Sequence, residues 1–148
     1  MIVRVLVVDD EPDVEALFRQ QFRREVRQGH YLLDFALSGE AALNKLDDIS
    51  GQQIILLVSD INMPGMSGLE LIPEVKSRRP DLPVFMISAY GDESRVKMAL
   101  ERGASKFITK PVDFPQLKQD VSRVVAEARA GEGGRNSILS RPSFACAS

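Results

Sequence analysis

Short apolar runs rich in β-branched residues alternate along the whole chain with longer segments of helical period, and this alternation constrains the fold more than any other feature. The runs are VRVLVV at 3–8, YLLDFAL at 31–37, IILLVS at 54–59, VFMIS at 84–88 and KFIT at 106–109. Each is short enough for a strand and too short for a core helix. The runs at 3–8, 54–58 and 84–87 are apolar almost without interruption, as expected of central parallel strands covered on both faces. Asp34 interrupts the second run, which marks it as an edge strand.

Helical patterns fill the gaps. Pro12 to about Gln28 carries Val14, Leu17, Phe18, Phe22 and Val26 on one stripe, and Gly29 ends it. Ser38 caps a second helix reaching about Ile49. Ser67 with Glu70 three residues later forms a capping-box start for a third. Pro73 lies inside that third helix, lacks an N–H for the carbonyl four residues back, and is expected to kink the helix or displace its start. A fourth follows Asp92 and ends near Gly103. The fifth has Pro115 near its first position and the stripe Leu117, Val121, Val124, Val125 and Ala128.

Five βα units in succession predict an α/β fold, a doubly wound, flavodoxin-like (βα)5 sheet of five parallel strands in the order 2-1-3-4-5. Ligands of such sheets sit outside the carboxyl ends of strands 1 and 3, where the order reverses. The chain of 148 residues, 44% apolar and 27% charged, has room for one such domain, expected over 1–128. Residues 129–148, rich in Gly, Ser and Ala, read as a flexible tail or linker stub. A formal net charge of −2 argues against a nucleic-acid wrapper or membrane-surface binder. The single cysteine, Cys146, excludes an internal disulfide framework. The apolar start is interrupted by Arg4 and runs straight into acids, so it reads as neither signal peptide nor membrane span. These features together predict a cytoplasmic location.

Three carboxylates fall at the expected switch point: Asp9 and Asp10 close the first strand, and Asp60 closes the third. Converging like charges raise one another's pKa, so either one is protonated or a hard divalent cation neutralises them. The oxygen-only donor set favours the cation, Mg2+ or alternatively Mn2+. Ser88 and Lys110 close the fourth and fifth strands and bring a hydroxyl and an ammonium to the same cleft. Three acids, a hydroxyl and a lysine suit phosphoryl transfer onto a carboxylate, because positive charge must offset the phosphoryl oxygens.

Asp9–Asp10, Asp60 with the following INMPGMSG, Ser88–Ala89 and Lys110–Pro111 within GASKFITKP resemble the receiver domain of two-component response regulators, of the chemotaxis-regulator type, over about residues 2–128. The resemblance implies that Asp60 is the phosphoacceptor. Asp9, Asp10, Asp60 and the backbone carbonyl of Asn62 would hold Mg2+, and Ser88 and Lys110 would bind phosphoryl oxygens. It further implies a cis bond between Lys110 and Pro111 and a switch coupling Ser88 to Phe107. A histidine kinase or phosphotransfer protein would supply the phosphoryl group. A downstream protein or linked effector would read residues 92–128, with homodimerisation as a further output. Such a domain is no enzyme in the ordinary sense, although it assists its own phosphorylation and dephosphorylation. The chain departs from the pattern at Ser88, where many members have threonine, at Phe107, where many have tyrosine, and at Pro73. Asn62 and Tyr90 occupy positions that tune phosphate lifetime in the family.

Three other readings compete: a Mg2+-dependent aspartyl phosphatase or phosphotransferase, a receiver-like module never phosphorylated, and a flavodoxin-like binding module for a nucleotide or flavin. The first lacks chain for a substrate cap; the second is disfavoured by the intact Asp60 and Lys110. A flavodoxin-like nucleotide or flavin site is disfavoured by the acidic turn DDEPD after strand 1. Asp13 is explained by its place in a first helical turn. His30 has no acidic or cysteine partner nearby in sequence. Met63 and Met66 read as loop packing, and Arg19, Arg23, Arg24 and Arg27 as a solvated or partner-docking face on which nucleic acid is not expected.

Overall fold

The computed structural model describes residues 2–89 and 91–137; Tyr90, Cys146 and the 138–148 portion of the expected tail lie outside the described residues. Strands β1 (Arg4–Val8), β2 (Leu32–Ala36), β3 (Ile54–Asp60), β4 (Val84–Ser88) and β5 (Lys106–Thr109) form one sheet in the order β2-β1-β3-β4-β5. Every pairing is parallel, as the alternation predicts. Asp34 lies on the edge strand β2 and pairs with Arg4 at 3.0 Å.

Alternate residues of each central strand enter opposite cores. Leu6, Val8, Leu57, Val84 and Met86 point to the side covered by α3 (Gly39–Asp47), α4 (Gly68–Arg78) and α5 (Glu93–Glu101). Val5, Val7, Leu56, Val58, Phe85 and Ile87 meet α1 (Pro12–Gln21) and α6 (Phe114–Ser137) through Phe18, Phe22, Leu117, Val121 and Val125. Burying one such aliphatic side chain contributes about 1.5–3 kcal/mol, so both sheet faces are strongly held.

The expected helix starts are present. The Ser38 side chain accepts from the Ala41 N–H, Ser67 and Glu70 form both bonds of the capping box, and Asp92 accepts from the Arg95 N–H. The first helix differs from expectation. It breaks at Phe22 (φ −103°, ψ 12°), whose ring is buried in the core, into α1 and the short α2 (Arg23–Arg27). The hydrogen bonds Phe22 N–H to Phe18 O and Val26 N–H to Phe22 O continue across the break. The last helix also differs: it stays helical to Ser137, past the expected tail boundary. Ala126, Glu127, Ala128, Arg129 and Ala130 are good helix formers and carry it on.

Pro73 neither displaces the start of α4 nor ends it. Its missing N–H frees the Leu69 carbonyl, and Arg102 Nη1, just past the end of α5, donates to that oxygen at 2.8 Å. A side chain from the next helix thus fills the gap the proline leaves. Arg102→Ala is expected to cost about 1 kcal/mol, read as a lower urea midpoint. In a Pro73→Ala background, where the restored backbone N–H serves the Leu69 carbonyl, the same change should cost distinctly less.

Candidate phosphoryl-transfer site

Strand register assembles the site. Val8 pairs with Ser59, so Asp9, one residue on, stands level with Asp60; Asp60 pairs with Ile87, and Ser88 follows it. Thr109 pairs with Ser88, and Lys110 comes next, its N–H donating to Ser88 O at 2.8 Å. The carboxylate oxygens of Asp9, Asp10 and Asp60 come within 4.8 Å of one another. Lys110 Nζ lies 3.0 Å from Asp60 Oδ1. Asp60 is 6% exposed and Ser88 fully buried.

The electrostatics follow from this crowding. Burial raises the Asp9 pKa to about 6; the charges of Asp60 and Asp10 push the same way, while the Glu11 N–H bond and Lys110 oppose them. Burial alone would lower the pKa of Lys110, but its bond to Asp60 and the charges of Asp60, Asp9 and Glu11 more than offset this and raise it. Three hard oxygen donors held together, one of them made reluctant to ionise, fit a small divalent cation. A cation held among these oxygens would compete with a proton at Asp9.

Sequence reasoning assigned no role to Glu11, whose N–H donates to Asp9 Oδ1 at 2.9 Å and orients that carboxylate. Gly68 was likewise unassigned. A Cβ there would collide with the Asp60 carbonyl oxygen and lie 2.8 Å from Ile61 Cα, while its N–H donates to Ile61 O at 2.8 Å. Only glycine lets α4 start so close to the backbone of Asp60. The Asn62 side chain accepts from Arg95 Nη1 at 3.3 Å. Phe107 is not part of the cluster: it pairs with Met86 and packs, half-buried, on the core beneath α3–α5. Met63 and Met66 pack on the same core. The Lys110–Pro111 bond is cis, as the resemblance implies.

Comparison with known proteins fits this arrangement. The family model of the response regulator receiver domain matches residues 5–122. The chain belongs to the response regulator receiver family. Among similar proteins, this receiver is 34% identical over 119 residues to the response regulator protein PilR of Pseudomonas aeruginosa, covering 80% of this chain and 25% of PilR. It is 30% identical to a chemotaxis protein CheY homolog of Campylobacter jejuni, covering 88% of this chain and 98% of that one. The chain thus spans about a quarter of the length of relatives such as PilR and NtrC. The CheX–CheY–BeF3–Mg2+ complex from Borrelia burgdorferi contains a similar chain, 34% identical with a TM-score of 0.73, covering 82% of this receiver and 88% of that chain. Receivers of this family are signalling domains of two-component systems. Among the described residues no helix is long and apolar enough to cross a membrane.

Proposed function

We propose that Asp60 accepts a phosphoryl group from a histidine kinase or phosphotransfer protein and that the resulting change is read on residues 92–128 by a downstream protein or a linked effector. The observation that carries this reading is the buried Asp60 carboxylate, 3.0 Å from Lys110 Nζ and grouped with the oxygens of Asp9 and Asp10. An Asp60 oxygen attacks phosphorus as the P–N bond of a donor phosphohistidine breaks, and the imidazole nitrogen keeps the bonding pair. Lys110 and the Ser88 hydroxyl meet the phosphoryl oxygens. Asp9, Asp10, Asp60 and the Asn62 carbonyl would hold Mg2+, with Mn2+ as a substitute. Bound there, the cation supplies positive charge against the oxygens of the transferring group. Ser88 and Phe107, on neighbouring strands, form the switch; moving a 1:99 mixture to 99:1 requires about 5.5 kcal/mol of differential interaction.

The same reading places the protein in the cytoplasm as a phosphoacceptor rather than an enzyme, with residues 1–128 as receiver and 129–148 as tail or linker, and with homodimerisation as one route of output. Incubation with Mg2+ and acetyl phosphate, followed by intact mass, is expected to add one alkali-labile phosphoryl group. Asp60→Ala and metal-free samples should add none. Steady phosphate release from several substrates without an adduct would instead favour the aspartyl phosphatase reading, and neither result a phosphorylation-independent module.

The raised Asp9 pKa gives the site a pH signature. Its folded value of about 6 exceeds the unfolded one, so the folded state holds the proton more tightly. Stability is therefore lost as pH rises from about 4 to about 6, and the full cost of the charged group is present above that window. Cation binding needs the ionised form. The rise in Tm on adding Mg2+ is expected to be large at pH 7.5 and to shrink as pH falls through about 6. A Tm gain of equal size at pH 5 and pH 7.5 would contradict the assignment of Asp9 as a ligand.

A further inference from the structure

We propose that the cleft between α2 and α6 is a docking surface for an acidic segment of a partner protein. The cleft, about 380 Å3, is lined by Gln20, Gln21, Arg23, Arg24, Arg27 and Lys118. It lies on the α1/α6 side of the sheet and shares no residue with the acidic trio.

The state of the arginines carries the inference. Elsewhere among the described side chains every arginine is engaged. Arg4, Arg19, Arg78, Arg95 and Arg123 have carboxylate partners. Arg79, Arg102 and Arg129 bond to backbone carbonyls. Arg23, Arg24 and Arg27 are exposed, and none has a carboxylate or carbonyl partner among the described residues. They crowd into the five residues of α2, with Arg23 and Arg27 one turn apart, an arrangement that destabilises an isolated helix through like-charge repulsion. The one carboxylate of α2 does not relieve it. Glu25 is half-buried and turned toward Lys118, 3.6 Å away, and toward Tyr31, whose pKa its charge helps to raise. An external anion offsets the repulsion that the helix itself leaves standing.

The chemistry of the cleft selects the kind of anion. It offers no exposed aromatic face on which a base could stack, since the Phe22 ring beneath it is buried. The chain as a whole carries −2, so a long duplex gains nothing from the overall field, whereas a short acidic segment senses only charges within about 10 Å. Gln20 and Gln21 can bond to a partner's backbone. Leu17, one turn earlier on α1 and 41% exposed, adds an apolar foothold of the kind an acidic amphipathic segment requires.

The test titrates the full chain, without phosphodonor, into three fluorescein-labelled probes followed by anisotropy: a Glu/Leu-rich peptide, its Gln/Leu counterpart and a duplex DNA. The acidic peptide is expected to bind, the Gln/Leu peptide and the DNA not. Binding should weaken as ionic strength rises from about 0.1 M to about 1 M. Arg23→Gln/Arg24→Gln/Arg27→Gln should weaken it at least roughly tenfold, given three charge contacts of modest individual strength, while Lys97→Gln on α5 should leave it unchanged. The Tm and the Mg2+-dependent phosphoryl adduct report that the triple variant is folded; if it is not, Arg24→Gln and Arg27→Gln are measured singly. Failure of the wild type to bind the acidic peptide, equal binding by the variants, or tighter binding of the DNA would overturn the proposal. None of these outcomes depends on phosphorylation of Asp60, so the two readings fail separately.

Discussion

Lys110→Ala is expected to slow phosphoryl transfer from acetyl phosphate to Asp60 by about 100-fold at saturating Mg2+. Among the described residues Lys110 is the cation at bonding distance from Asp60, its Nζ 3.0 Å from Oδ1 of the proposed phosphoacceptor. Removing one charged donor from a transition state of this kind costs about 2.7–4 kcal/mol where the site is dry. The lysine side chain is 38% exposed, which places the effect at the lower end of that range. The same substitution removes a charge that lowers the Asp9 pKa, so Asp9 moves further above the ordinary carboxylate range. A merely structural lysine would behave differently. If Lys110 only held Asp60 in place, Mg2+ would restore both Tm and rate in Lys110→Ala; if it stabilises the transferring group, Mg2+ restores Tm and leaves the rate low. A time course of intact mass beside thermal melts separates the two, and a wild-type rate in the variant would remove Lys110 from the transfer step.

The candidate site is legible as a grouping because its residues lie at or just past strand ends. In a parallel sheet of known order, the residues that end each strand or directly follow it must lie at one edge, so Asp9, Asp60, Ser88 and Lys110 can be grouped without side-chain information. The helix caps were legible because Ser38, Ser67 with Glu70, and Asp92 act within three residues. What escaped the sequence depends on distant partners or on competition between equal local preferences. The stripe through Val14, Phe18, Phe22 and Val26 has unbroken helical spacing, so nothing local announces the break at Phe22. Asp120 sits in a helix among polar neighbours, yet it is 3% exposed and held by Lys106 at 3.2 Å and by Gln116 Nε2 at 3.2 Å, the first of these fourteen positions earlier in the chain. The hydrogen bond Pro73 removes is legible in the sequence, but nothing near it announces that Arg102 supplies the replacement. α6 runs on to Ser137, beyond the apolar stripe that ends at Ala128, because alanines propagate a helix that is already anchored.

Phe22→Ala is expected to lower the free energy of unfolding by about 3–5 kcal/mol. The ring is 1% exposed, stacks on Phe18 at 5.6 Å between centroids, and meets Tyr31 and Phe114 edge-on at 6.2 Å each. It therefore joins α1, the start of β2 and the start of α6, three segments distant in sequence. Truncation leaves a cavity that no neighbour can fill without moving one of these segments, and cost rises with the volume left empty. Against a typical domain stability of about 5–15 kcal/mol the variant is marginal but folded at low temperature. Urea titration gives the magnitude; a midpoint within experimental scatter of wild type would mean the aromatic cluster is not a structural unit. Phe22 is also the residue at which α2 leaves the line of α1, so losing its ring frees Arg23–Arg27 to rejoin α1 as one continuous helix. Acidic-peptide binding should then fall while the phosphoryl adduct at Asp60, supported by β1, β3 and β4, still forms at low temperature. That separation connects the break in the helix to the basic surface and divides it from the chemistry of the strand ends.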